Sequence, residues 1–250
     1  MIIEPALELI TYNFSNTSEQ GVPVIEQQRN RNQFQEQVTV RYEVRPQTSL
    51  VSVIRPTQVQ YTTAVDGARN PNATGISVLG GLDYIGEGLW RYRALVGYET
   101  RSFANTYKSR SAPVAEADIT WNPTELTTVT GLLSRTIEDT GSEDETGYTY
   151  TVARLSVDHE YRRNILVRFY VGLQNADYQQ SNHTQTLYQA GVSTSWLLNR
   201  YARLTASYDF LNSASTGLSS TGSTTLTNGG NYNRNLYLLR IEFGRFEPFN

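Results

Sequence analysis

Apolar and polar residues alternate along most of this chain with a period of two. In residues 90–101, Trp90, Tyr92, Ala94, Val96 and Tyr98 share one face, and Arg91, Arg93, Gly97, Glu99 and Arg101 share the other. A strand turns successive side chains to opposite sides, so the pattern predicts a sheet with one apolar and one polar surface. Residues 34–44 repeat it, with Phe34, Val38, Val40, Tyr42 and Val44 against Gln35, Gln37, Thr39, Arg41 and Glu43. Residues 113–121 set Ala115, Ala117, Ile119 and Trp121 against Glu116, Asp118 and Thr120, and residues 148–159 set Ala153, Leu155 and Val157 against Arg154, Ser156 and Asp158. In residues 165–175, Ile165, Val167, Phe169, Val171 and Leu173 oppose Arg168, Tyr170, Gly172 and Gln174. Residues 186–211 hold two such segments joined at 197–200, the second opposing Ala202, Leu204, Ala206, Tyr208 and Phe210 to Arg203, Thr205, Ser207 and Asp209.

The remaining segments are 4–14, where alternation is weak, 50–61, 75–85, 126–137 and 235–246, which brings the number to twelve. In residues 235–246, Tyr237, Leu239, Ile241 and Phe243 face away from Arg240 and Glu242. In residues 50–61, Arg55 falls on the same face as Val51, Val53, Val59 and Tyr61, beside Pro56. A charge on the apolar face next to a proline predicts a bulge or a shifted register there.

The connections sharpen the fold class. Those at 15–33, 62–74, 102–112, 138–147, 176–186 and 212–234 are long, and those at 45–49, 86–89, 122–125, 160–164 and 197–200 are short. Long and short alternate throughout. An outer-membrane barrel does this because its periplasmic turns are tight and its outer loops extended, and a strand of about ten residues suffices to cross the hydrocarbon layer. The expectation is therefore an all-β protein: a closed antiparallel up-and-down transmembrane β-barrel of about 12 strands, forming a single domain over 1–250. The even strand count and long first loop put both termini in the periplasm. Trp90, Trp121, Tyr161, Trp196 and Tyr201 all lie beside short connections, where an aromatic girdle at the membrane interface belongs.

Composition agrees with that class and narrows the chemistry. Hydrophobic residues are 38% of the chain, and no apolar run reaches the 18 or more residues of a membrane helix. Barrel strands bury alternate residues only, so a low average hydropathy does not argue against a membrane. Tyr is abundant at 17, Lys108 is the sole lysine, and the net charge of -3 predicts no nucleic-acid partner. The absence of Cys removes disulfides, thiol catalysis and thiolate metal sites. The start IIEPALELIT has neither a basic segment nor a small-residue cleavage site, so it does not read as a signal peptide.

With the apolar faces outward, the lumen is lined by Arg41, Glu43, Arg91, Arg93, Glu99, Glu116, Asp118, Arg154, Arg168, Arg203, Asp209 and Arg240. These are the candidate selectivity residues. They either line a water-filled pore or form cross-strand ion pairs that plug it. Arg91 and Arg93, with Arg41 and Arg168 across the wall, form a candidate cationic ladder that Glu116 and Asp118 can neutralise. Catalysis finds no support, since neither His159 nor His183 has a serine motif beside it. No enzymatic activity, metal or cofactor is expected. The acidic run 138–145 is a candidate for binding a divalent cation or bridging to lipopolysaccharide, against the commoner role of a solvated loop tip.

The stretches LVRFYVGLQNADYQQ, TLYQAGVSTSWLLNRYARLTASYDFLNS and NYNRNLYLLRIEFGRF, all in the last ninety residues, resemble the C-terminal half of the putative β-barrel porin 2 family. Looser similarity extends over most of the chain. The family comprises Gram-negative outer-membrane proteins often encoded with exopolysaccharide or capsule genes. The resemblance implies a bacterial outer-membrane channel, a conduit for secreted polysaccharide, and no catalytic residues to carry over. Its partners would be outer-membrane lipid and lipopolysaccharide, a saccharide substrate and periplasmic export components. The function expected is passive diffusion of small solutes or extended saccharide chains through a charged lumen. The alternative is a plugged structural or assembly barrel whose long loops bind partners or surface polysaccharide.

Overall fold

In a computed structural model the alternating segments become strands of one sheet. It describes residues 1–19, 22–24, 27–62, 72–86, 88–104, 109–139, 147–178, 183–216 and 231–245. The strands are β1 (Ile2–Tyr12), β2 (Thr17–Glu19), β3 (Val22–Val24), β4 (Arg31–Arg45), β5 (Thr48–Tyr61), β6 (Ala73–Ile85) and β7 (Trp90–Phe103). They continue with β8 (Arg110–Thr124), β9 (Thr127–Asp139), β10 (Gly147–Arg162), β11 (Ile165–Tyr178), β12 (His183–Asn199), β13 (Ala202–Thr216) and β14 (Tyr232–Phe243). Twelve of them form a single antiparallel up-and-down sheet in chain order, while β2 and β3 make a separate two-stranded hairpin inside the first long connection. Among the described residues no pairing joins β1 to β14, and both strands are exposed along almost their whole length.

One rim of the sheet carries two-residue turns at 46–47, 125–126, 163–164 and 200–201 and the connection 86–89. Each two-residue turn is preceded by a register irregularity, at Glu43/Arg45, Trp121/Thr124, Glu160/Arg162 and Leu197/Asn199. Such bulges raise the local twist and re-aim the strand before it reverses. The opposite, loop rim carries 13–30, 62–72, 104–109, 140–146, 179–182 and 217–231.

Several side chains two or three strands apart touch across one face. Arg41 of β4 reaches Asp83 of β6 at 3.4 Å, Arg55 of β5 reaches Glu116 of β8 at 2.7 Å, and Tyr170 of β11 reaches Asp209 of β13 at 2.6 Å. Neighbouring strands are about 4.8 Å apart, so such partners meet only where the sheet curves toward itself. The polar face is therefore concave. The convex face carries exposed Val38, Ile54, Ile76, Val96, Leu155 and Val171.

Strand β5 departs from the expected arrangement. Val51, Val53 and Val59 do not look outward; they lie on the concave face and are 2%, 0% and 1% exposed. Val51 and Val53 pack with Leu79, Leu95 and Val114, and Val59 packs with Tyr61, Ala73 and Phe103. Arg55 needs no bulge, because the β4–β5 register runs unshifted from Gln35↔Thr57 to Val38↔Ile54. The charge points inward because its whole face does. Glycines make this tight corner possible. A Cβ on Gly81 would sit 1.9 Å from the Ala94 carbonyl oxygen, and one on Gly97 would sit 2.0 Å from that of Val78. Only glycine lets the β6 and β7 backbones approach so closely, which coils the sheet sharply and folds its inner side chains together.

Candidate functional site

The concave face divides into a filled half and an open half. In the filled half, beside the apolar corner, several charges are paired. Arg41 lies 3.4 Å from Asp83 and 3.5 Å from Glu4. Arg55 bonds Glu116 at 2.7 Å and donates through Nε to Gln37 Oε1 at 2.9 Å. Nearer the loop rim, Arg101 joins Glu99 at 3.0 Å and Asp139 at 2.9 Å, with all three side chains almost wholly buried. Glu43, Ser49, Asp83, Arg93 and Asp118 follow one another along a single row near the short-turn rim. Arg41 and Arg168 therefore do not extend a cationic ladder from Arg91 and Arg93: Arg41 is held by acidic neighbours, and Arg168 pairs with Asp158 at 2.5 Å. Glu116 is committed to Arg55 rather than to that ladder.

The open half is the inner wall of β10–β13. At its loop rim Tyr148 stacks on Tyr178, with ring centres 4.8 Å apart, and meets Tyr150 edge-on at 5.9 Å. Tyr178 in turn lies 5.4 Å from the His183 ring. Strand pairing places these four rings on adjacent strands of the same concave face. Below them the Tyr150 hydroxyl donates to Gln174 Oε1 at 2.7 Å. Further down, the Arg154 guanidinium lies 5.2 Å over the Tyr170 ring, whose hydroxyl donates to Asp209. Tyr170 lies flat across Gly191, where a Cβ would come within 2.4 Å of the ring. Gln189, Ser193, Ser207 and Arg203 continue the wall, and Arg203 pairs with Glu242 at 2.7 Å while Arg240 stands 3.7 Å from it.

All twelve candidate lumen residues fall on the concave face by register, but they do not form one group. Glu99 and Glu116 are drawn into the filled half, Arg154, Arg168, Arg203 and Asp209 line the open half, and Arg240 adjoins it on β14. Reading the sequence missed the Tyr148, Tyr150 and Tyr178 cluster. It also missed Arg110, which the structure puts at the start of a strand rather than in a loop. Uninterrupted alternation from Tyr148 through Tyr150 to Val152 was the available signal.

The aromatic candidates gather at the short-turn rim. Trp90 and Trp121 are paired partners on the convex face with rings stacked at 5.2 Å, Tyr84 stacks on Tyr92 at 5.4 Å beside them, and Tyr161, Trp196 and Tyr201 are exposed. His159 is exposed, with its Nδ1 3.0 Å from Thr127 Oγ1. Of the acidic run 138–145 only Glu138 and Asp139 lie among the described residues. No group of three metal-ligating side chains occurs among those residues.

A curved up-and-down antiparallel sheet, with an apolar convex face and charged side chains along its concave face, has the architecture of a porin-type wall. A family model described as putative beta-barrel porin 2 matches residues 3–231, and the chain belongs to that family. No curated protein matches the chain. Among solved structures, the FrpB iron transporter from Neisseria meningitidis (F3-3 variant) is similar with a TM-score of 0.54 and 11% identity. The similarity covers 79% of this chain and 38% of that one, so the chain spans well under half the length of the transporter. At that identity the likeness describes the fold alone.

Proposed function

We infer that this chain forms a channel in the bacterial outer membrane, through which small solutes or extended saccharide chains diffuse passively. The observation that carries this reading is the lane of rings, amides and hydroxyls down the inner wall of β10–β13. Aromatic faces stack on the C–H faces of sugar rings, while Gln, Ser and Arg offer exchangeable hydrogen bonds. Exopolysaccharide is the saccharide the family resemblance suggests. The exposed apolar convex face fits a lipid environment, and the Trp90–Trp121 stack with Tyr161, Trp196 and Tyr201 fits a girdle at the periplasmic interface. On this reading the short turns are periplasmic, and the long loops meet lipopolysaccharide and any external partner.

The wall closes where β14 meets β1. Two unpaired strand edges within hydrocarbon would leave backbone N–H and C=O groups unsatisfied, at several kcal/mol each. Glu4 and Glu8 on the concave face of β1 complement Arg234 and Arg240 on that of β14. The filled corner favours one rival, a plugged structural barrel that binds partners through its loops.

Conductance in planar bilayers separates the two. A channel gives discrete openings that fall when maltodextrins or acidic oligosaccharides are added, and Tyr148→Ala with Tyr178→Ala weakens that block several-fold. A reconstituted, folded protein that stays silent would sink the channel reading in favour of the plug.

A further inference from the structure

The β8–β9 ladder stops early. Its last regular pair toward the loop rim is Ala115↔Arg135, although β8 continues to pair with β7 as far as Arg101↔Arg110, and β9 with β10 as far as Asp139↔Gly147. Pro113 stands where the next bond to β9 would form, and proline has no N–H to give. Its carbonyl is taken by the Arg135 guanidinium at 3.1 Å instead of by a β9 amide.

Freed from β8, the ends of β9 and β10 turn inward over the concave face. The Ile137 amide donates to Glu99 Oε2 at 3.3 Å, and Thr136 Oγ1 donates to the same oxygen at 3.2 Å. Glu99 belongs to β7, two strands away, and points into the lumen. Gly147 of β10 rests on the Phe103 ring of β7, so close that a Cβ there would be 3.1 Å from Cζ. Arg101 bonds Asp139. Arg110 reaches under the folded end and donates to Gly147 O at 3.1 Å, Thr149 Oγ1 at 2.6 Å and Asp177 O at 2.9 Å. Ile137 and Thr149, each 1% exposed, and Ala112, at 5%, are sealed in between. Burying four charged side chains is a poor way to gain stability, because their desolvation consumes most of the attraction between them. A positional role accounts for them better.

We propose that this fold-back is the constriction of the lumen. Pro113 creates it, Glu99, Arg101 and Arg110 hold it as positioning residues, and it confines solute to the β10–β13 wall. The consequence for transport rests on the channel reading, but the geometry does not.

The chain has no cysteine, so Ala112→Cys supplies a unique thiol beneath the fold-back. Its labelling by a charged, water-soluble maleimide is followed in reconstituted protein, alongside single-channel conductance. In the A112C background the thiol is expected to react slowly. Adding Pro113→Val with Glu99→Gln restores a ladder donor and weakens the hold, and should speed labelling at least tenfold and raise conductance several-fold. Pro113→Val alone removes no buried partner, so it decides the matter if the double change fails to fold. Arg101→Lys, which keeps the charge but not the forked geometry, should fall between. Faster labelling with silent bilayers would uphold the constriction and defeat the channel. Folded variants whose labelling does not change would overturn the proposal.

Discussion

The two halves of the concave face are built from the same alternation and reach opposite ends. In β5–β8 both sides of each strand carry apolar residues, and Gly81 and Gly97 let the sheet coil until Val53, Leu79 and Leu95 close on one another. In β10–β13 the inward residues are mostly polar, among them Tyr170, Gln174, Gln189, Ser193, Ser207 and Asp209, and the wall stays open. Curvature decides the outcome. Where the backbone bends tightly, inward side chains meet and exclude water, and their hydrophobicity stabilises the bend. Where it bends gently, they face a space too wide to fill, and polar side chains predominate. A lumen need not be uniform to be continuous.

The strongest way to break this contrast is to block the bend. Gly81→Val or Gly97→Val places a side chain inside a neighbouring backbone, and neither protein should give the heat-modifiable band of a folded barrel on SDS gels. Gly172→Ala on the gentler wall, where the nearest atom to a new Cβ is 3.7 Å away, should fold normally.

A charge placed in each half gives the next largest effect. Val53→Asp buries an unpaired carboxylate in the apolar corner and should cost at least about 4 kcal/mol in urea-unfolding measurements. Ser193→Asp adds the same charge to the open wall and should cost less than about 1 kcal/mol. Equal costs would mean that the halves do not differ in water content.

The smallest effect sharpens the wall itself. Tyr170→Phe removes one hydroxyl donor to Asp209, which keeps Ser207 as a partner at 3.5 Å. A loss of about 1 kcal/mol is expected, together with a shift in cation-to-anion permeability as the Asp209 carboxylate is released.

The alternation was readable wherever one face was uniformly apolar, as from Phe34 to Val44 and from Trp90 to Tyr98. Those strands formed with the polarity their residues imply. In residues 50–61 both faces are rich in apolar residues: Leu50 and Ile54 on one, Val51, Val53 and Val59 on the other. Period-two spacing says which residues share a face, not which face is concave, so the inward valines were not recoverable from it. Arg55 is the available clue: beside Pro56 it suggests an irregularity, yet it marks the concave side of the strand. The fold-back was hidden for a different reason. Alternation from Pro113 onward predicts a strand that begins there, whereas β8 runs through it from Arg110, and the cost of the missing donor falls on the neighbouring strand. Partners such as Glu99 with Ile137, or Arg110 with Asp177, are far apart in sequence and carry no local signature.

A single-cysteine scan tests the division of the lumen most directly. Val53→Cys, Leu79→Cys and Val114→Cys report on the corner, and Gln189→Cys, Ser193→Cys and Thr205→Cys on the wall. Each folded variant in bilayers is exposed to a membrane-impermeant thiol reagent. Wall thiols are expected to react at least tenfold faster than corner thiols, and similar rates in both sets would contradict a lumen that is dry on one side and wet on the other.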